Sequence, residues 1–384
     1  MFKIIIYFLV FIGCFANDNI NIKNLDLTTK NKIKFATLDS LNKSGFHIEK
    51  IEDDFLITTD LGRVTLKESK IITPHKNFTI LTSSFVENGV IYLPLEIILT
   101  LNGYDLKDDS IRKIENINPP KSYPSKIISL SPGITEKVFA LGGENLLVGR
   151  TSFSNYPKEV ENIDIVGTMF EPNLEIILEK KPDIIIAESH FRDKLMTTLK
   201  SFDIEVAKFN TPTNIPEIYS SIRALGNLID RNLEARGLNA SLQDKVAYTK
   251  VLLENSEKPE VYYVLGSGKT DITPGGDTFI NFLIEAAGGI NIASNKVGWR
   301  YSLEELILNN PDIIFGGKRN IDTMLGEENY HYLNAIKNKN YFIIEDDSIF
   351  NLPGPRALTE GIYQMGIIFH PDKAKELEKI RSFE

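Results

Sequence analysis

Residues able to do covalent or metal chemistry are sparse in this chain. The five histidines, at 47, 75, 190, 331 and 370, share no spacing that a metal site or an acid–base pair needs, and Cys14 is the only cysteine in 384 residues. There is no HExxH, no Walker loop and no GxSxG elbow, so the groups behind zinc hydrolysis, phosphate cradling and acyl transfer are missing. One cysteine allows no intramolecular disulfide, no thiolate metal cluster and no cysteine nucleophile in the mature domain. What remains is a set of aromatic and cationic side chains near glycine, serine and proline: Phe153 and Tyr156, Phe170, His190 and Arg192, Trp299, Arg300 and Tyr301, and Arg356. Such groups hold a large, flat or anionic ligand by stacking and charge.

The elements that must position them alternate, strand then helix, from Lys126 onward, which predicts parallel sheets with covering helices. "KIISLSPGITEKVFALGG" reads as a strand, Ser131 as helix N-cap, Pro132 at the first helical position and a helix closed by Gly142-Gly143. Asn214 and Glu217 have capping-box spacing at the start of another helix. "NLEIILEKKPDII" (173–185) matches "SLEELILNNPDII" (302–314) without gaps at six of thirteen positions, and "ALGGEN" (140–145) and "AAGGIN" (286–291) precede the two copies in the same order. Two matches in order point to duplication. Between the copies, Leu233, Leu238, Leu242, Val246, Val251 and Leu252 fall near helical spacing. The fold class expected is therefore α/β: two similar lobes with central parallel sheets, joined by a single long helix and preceded by a small α+β domain. Ligands of open parallel sheets sit at the carboxyl ends of the strands, where the aromatic and cationic residues named above are predicted to lie.

Ahead of the lobes, Lys3 and the apolar run from Ile4 to Ile12 suit an export signal too short to span a bilayer. Cys14-Phe15-Ala16 allows ordinary cleavage after Ala16, whereas Phe11-Ile12-Gly13-Cys14 resembles a bacterial lipobox, with Cys14 as the acylated residue; the lipobox is the favoured reading. "DDFLITTDLGRVTL" (53–66) reads as a hairpin, and "SFVENGVIYLPLEIILTLNGYDL" (84–106) as a turn, a strand and a helix ending at Asn102-Gly103. This second stretch resembles the copper amine oxidase N-terminal-like domain of bacterial surface proteins, with Glu96 where that family has arginine; no copper ligands are implied. The expected division is signal 1–16, α+β module 17–118, linker 119–125, first lobe 126–229, interlobe helix 230–257 and second lobe 258–384. The module reads as a stalk that raises the lobes, which should bind ligand without it. A formal charge of −9 with no Lys/Arg block excludes nucleic acid as the expected partner.

Taken together, "KIISLSPGITEKVFALGGENLLVGRTSFSNYP", "NLEIILEKKPDIIIAES", "GGINI", "SLEELILNNPDIIF" and "LPGPRALTEGI" are similar to the helical-backbone class of periplasmic substrate-binding proteins. These serve ABC importers of ferric siderophores, haem and cobalamin, and the likeness covers about residues 124–384. The resemblance implies capture of a metal chelate, a ferric siderophore first and cobalamin, cobinamide or haem next, by a monomer that needs no resident cofactor and is not an enzyme. Its partners would be a permease dimer with its ATPase, and the membrane through a lipid on Cys14. Glu175 and Glu304 match the family's permease-docking glutamates. Phe153 stands at the family's aromatic in "SYxDYP", and Trp299 falls within one residue of its second-lobe tryptophan. Tyr301 and His190 are the candidates for a haem axial ligand. A surface adhesion or wall-binding protein is the reading from another class, resting on the N-terminal module.

Overall fold

Ile127–Ser129 and Glu260–Val264 open two sheets built to one plan. In the first, strands run in the order Leu147–Gly149, Ile127–Ser129, Ile184–Glu188, Glu205–Phe209; in the second, Ile290–Asn291, Glu260–Val264, Ile313–Gly317, Tyr341–Ile344. All neighbouring pairs are parallel. The computed structural model describes residues 20–114, 119–189, 193–268 and 271–383. Cys14, His190 and Arg192 lie outside the described residues.

The internal repeat continues into backbone detail. Asn173 and Ser302 cap seven-residue helices, Leu174–Lys180 and Leu303–Asn309, through side-chain oxygens that accept N–H groups of the first turn. Each helix ends on a left-handed residue, Lys181 (φ 48°) or Asn310 (φ 44°), immediately before a proline that cannot continue it. The aspartates that follow do equivalent work. Asp183 Oδ2 accepts the backbone N–H groups of Ser125 and Lys126 at 2.7 and 2.9 Å, and Asp312 Oδ2 accepts that of Glu260 at 2.8 Å. Each tethers its own strand to the first strand of its lobe. Gly142 and Gly288 both have positive φ, and Gly143 and Gly289 donate back to Val138 and Ile284 at 2.9 Å, the closure that a helix ending in two glycines permits.

Asn232–Leu252 is the single helix between the lobes, 21 residues and so about 30 Å long. Its start lies two residues and its end five residues inside the expected 230–257, because Arg231 caps it and Leu253 begins a turn. Ahead of the lobes stands an α+β module with a four-stranded antiparallel sheet, a five-stranded antiparallel sheet running from His47–Ile51 to Asn77–Thr79, and the helix Leu95–Leu101. The hairpin Asp54–Thr59 with Gly62–Lys67 and the Asn88-Gly89 turn form as their residues direct.

Here the structure departs from the expectation of a stalk. Phe78, Ile80, Leu95 and Ile98 of the module share one buried cluster with Leu238 and Leu242 of the interlobe helix and with Ile222 and Ile284 of the two lobes. Even the charged residues Glu234, Arg236, Asp244 and Lys245 of that helix are buried. Removing the module would take away the partners of these four side chains at Asp60, His75 and Thr79–Thr82.

Candidate functional site

Phe153 projects from a tight turn in which Ser154 N–H donates to Thr151 O at 3.1 Å. Buried Arg150 fixes that turn, donating from Nη1 to Ser154 O at 2.9 Å and from Nε to Ile163 O at 2.9 Å. The neighbouring loop is joined to it by Ser152 N–H to Gly167 O, 2.9 Å. Gly167 has φ +109°, and a side chain there would run 2.7 Å from Glu171 O, so only glycine lets the chain turn back to present Phe170. The rings of Phe153 and Phe170 meet edge to face, centroids 6.4 Å apart, and each stays 50% exposed. Exposed rings held on rigid turns present stacking surface at little entropic cost.

In the second lobe, Trp299 is 47% exposed. Its loop is zipped to residues 274–277 by Gly275 N–H to Gly298 O and Gly276 N–H to Lys296 O, both 2.8 Å, and by Gly298 N–H to Asp277 Oδ1 at 2.7 Å. Arg300 beside it is exposed. Among the described residues, Phe153, Phe170, Trp299 and Arg300 are the exposed members of the expected set, and Tyr156 is half-buried.

Tyr301 belongs to the core instead. It is 4% exposed, its hydroxyl donates to Ile292 O at 3.3 Å and accepts from Asn309 Nδ2 at 2.5 Å, and burial pushes its phenol above the ordinary range. Strand alternation explains the split: Arg300 and Tyr301 are adjacent in a two-residue strand and point to opposite faces.

Arg356 is also enclosed, 6% exposed. Its backbone N–H donates to Glu136 Oε1 at 3.1 Å, its Nε lies 3.6 Å from Glu136 Oε2, and its guanidinium stacks 4.1 Å over the Tyr156 ring. Nη1 reaches Asp346 Oδ2 at 3.5 Å. Glu136 and Tyr156 come from the first lobe and Asp346 from the second, so Arg356 joins lobe to lobe as well as holding its loop to its own lobe. Burial raises the Glu136 carboxyl, and the Arg356 charge opposes that rise.

Glu136 was not singled out by the sequence reading, nor was Glu188. Glu188 accepts from Ser131 Oγ at 2.5 Å and pairs with buried Lys137 at 3.4 Å. Ser131 therefore makes no side-chain cap on its own helix; its hydroxyl is spent on the strand end opposite. The signal available was the unusual density of charge in "ITEK", a helix whose every residue is buried.

Glu175 and Glu304 are exposed at the second positions of the matching helices. Among the described residues neither carboxylate meets a cation.

The periplasmic binding protein family profile matches residues 127–348, more than half of the chain. The chain belongs to the periplasmic binding protein family. Membership places it with extracytoplasmic binding proteins, which take a small-molecule ligand. This periplasmic binding protein is 29% identical over 265 residues to the uncharacterized ABC transporter substrate-binding lipoprotein YvrC of Bacillus subtilis, covering 67% of this chain and 83% of that one. It is also 29% identical over 204 residues to a cobalamin-binding protein of Halobacterium salinarum, where it spans only 54% of the relative and 51% of itself. Its fold superposes with a TM-score of 0.58 on the crystal structure of a possible iron-binding (periplasmic solute-binding) protein of Staphylococcus epidermidis, 27% identical, covering 64% of this chain and 99% of that one.

Proposed function

We propose that this periplasmic binding protein captures a metal chelate outside the cytoplasmic membrane and hands it to the permease dimer of an ABC importer, whose ATPase drives uptake. The observation that carries the reading is the exposed aromatic set, Phe153 and Phe170 in one lobe and Trp299 in the other, each held on a rigid turn. Rings of this kind grip bulky, partly apolar chelates, and Arg300 supplies charge for an acidic one. The cobalamin-binding relative favours a corrinoid; the neighbour described as a possible iron-binding protein favours a ferric siderophore, the ligand the sequence puts first. Haem ranks below both, because the Tyr301 hydroxyl is committed to Ile292 and Asn309 and burial holds its proton on.

Glu175 and Glu304 serve as the two permease-docking points. A lipid on Cys14 tethers a monomer to the membrane, a reading supported by the lipoprotein relative. The N-terminal part is a copper amine oxidase N-terminal-like module, supported by its sequence of turn, strand and helix. Equilibrium dialysis of the full mature chain against cyanocobalamin, cobinamide, haemin and a set of ferric siderophores tests the reading. Retention of one class at submicromolar concentration supports it; passage of every chelate through a folded protein overturns it.

A further inference from the structure

We propose that the N-terminal module is a brace that fixes the separation of the two lobes and thereby sets how readily the cleft lets its ligand go. The inference rests on the solute-binding reading, because lobe separation matters only if a ligand is held between lobes.

The module grips the interlobe helix along three turns and does so through charge. Arg236 makes a two-pronged contact with Asp60, Nη1 to Oδ1 at 2.5 Å and Nη2 to Oδ2 at 3.2 Å. Glu234 Oε1 accepts His75 N–H at 3.1 Å. Asp244 Oδ2 accepts the N–H groups of Leu81 and Thr82 at 2.5 and 3.2 Å, and Lys245 Nζ donates to Thr79 O and Oγ1, both at 2.8 Å. Slippage would leave these buried charged side chains without their hydrogen-bond partners, a cost that favours one register.

The same segment of the module touches both lobes. On the first, His75 O stands against Gly142, where a Cβ would come within 3.1 Å. Towards the second, Thr79 N–H donates to Phe383 O at 3.1 Å and Thr79 Oγ1 to Ser382 O at 3.3 Å, so residues 382–383 of the second lobe are tied to the edge strand of the module. A cavity of about 610 Å³ marks the junction, lined by Thr79 of the module, Tyr156 of the first lobe and Arg356 of the second. A single helix between lobes permits rocking. Here the rocking axis is clasped, and each lobe is tied to the clasp.

The test uses the full mature chain with Cys14→Ser, spin labels on Phe202→Cys and Leu308→Cys, exposed positions in the first and second lobe, and a protease site in linker 119–125. Interlobe distances are read without ligand, so the result is independent of which chelate binds. Failure of the ligand reading would appear separately, as no chelate bound with the brace intact. After cleavage the fragments are expected to co-elute with an unchanged distance distribution. Asp60→Ala with Asp244→Ala is expected to widen the distribution about twofold while circular dichroism holds. An unchanged width in that variant overturns the proposal. So does separation of the cleaved fragments on gel filtration, which needs no substitution in the brace and stands however the double variant folds.

Discussion

Glu175 and Glu304 occupy the same position, the second residue of a capped seven-residue helix, in two lobes whose strands share one order. Both carboxylates face solvent. An acidic residue at a helix start gains about 0.3 to 1 kcal/mol from the helix dipole, so local stability explains part of the choice. The recurrence of the pair at matched sites fits a partner with two equivalent halves. Replacing both with glutamine is expected to leave chelate affinity unchanged, to lower the thermal midpoint only by the small helix-dipole contribution, and to abolish stimulation of the importer's ATPase in reconstituted vesicles; full stimulation by the double variant contradicts the docking role.

Arg356 bears on stability. Arg356→Ala leaves Glu136 buried without its cation, a change expected to cost about 3 to 5 kcal/mol in a urea melt. Burial holds the Glu136 carboxyl above its ordinary 4.5, so the penalty is small below pH 4.5 and grows as pH rises through the folded value. A pH-independent deficit, or none, would show that the pin is dispensable.

Lys245 gives the brace a signature in alkali. Burial pushes its ammonium down to about 8 from 10.5, and the Asp244 charge only partly opposes this. The unfolded chain keeps the proton to higher pH than the folded one. Stability from this site is therefore complete above pH 10.5 and is lost as pH falls through about 8, an amount of order 3 kcal/mol. Lys245→Met is expected to flatten the rise in urea midpoint between those limits; the wild-type slope in the variant would count against the assignment.

The accessible rings separate binding from folding. Phe153→Ala, Phe170→Ala and Trp299→Ala are each expected to weaken chelate binding by about 1 kcal/mol, roughly fivefold, with little change in melting. Tyr301→Phe is expected to do the reverse, costing about 1 kcal/mol of stability through lost bonds to Ile292 and Asn309 while affinity holds. Calorimetric titration and a melt on each variant decide.

How far the sequence carried the fold can be argued from the interlobe helix. Its leucines at 233, 238 and 242 announced one buried stripe, and all three are buried. Nothing local marks Glu234, Arg236, Asp244 and Lys245 as buried, because charge usually stays in water; here the module covers them, and their partners lie about 160 to 176 residues upstream at Asp60, His75 and Thr79–Thr82. Pairing across such separations leaves no local periodicity. The duplicated helix–proline–strand unit was legible since its caps, stops and strands are all local. Among the expected site residues, Phe153, Phe170 and Trp299 stay exposed on turns, whereas Tyr301 and Arg356, expected beside them, are buried. Burial is fixed by Asn309, Ile292, Glu136 and Tyr156, not by the type of the residue itself.

The most direct test of chelate capture follows the fluorescence of Trp299, the only tryptophan, while the full mature chain is titrated with ferric siderophores, haemin, cobalamin and cobinamide. Submicromolar quenching by one class is predicted, with the visible spectrum of the bound chelate weakened in step in Trp299→Ala. Silence across the panel in a folded protein, by fluorescence and by visible absorbance alike, would contradict the central claim.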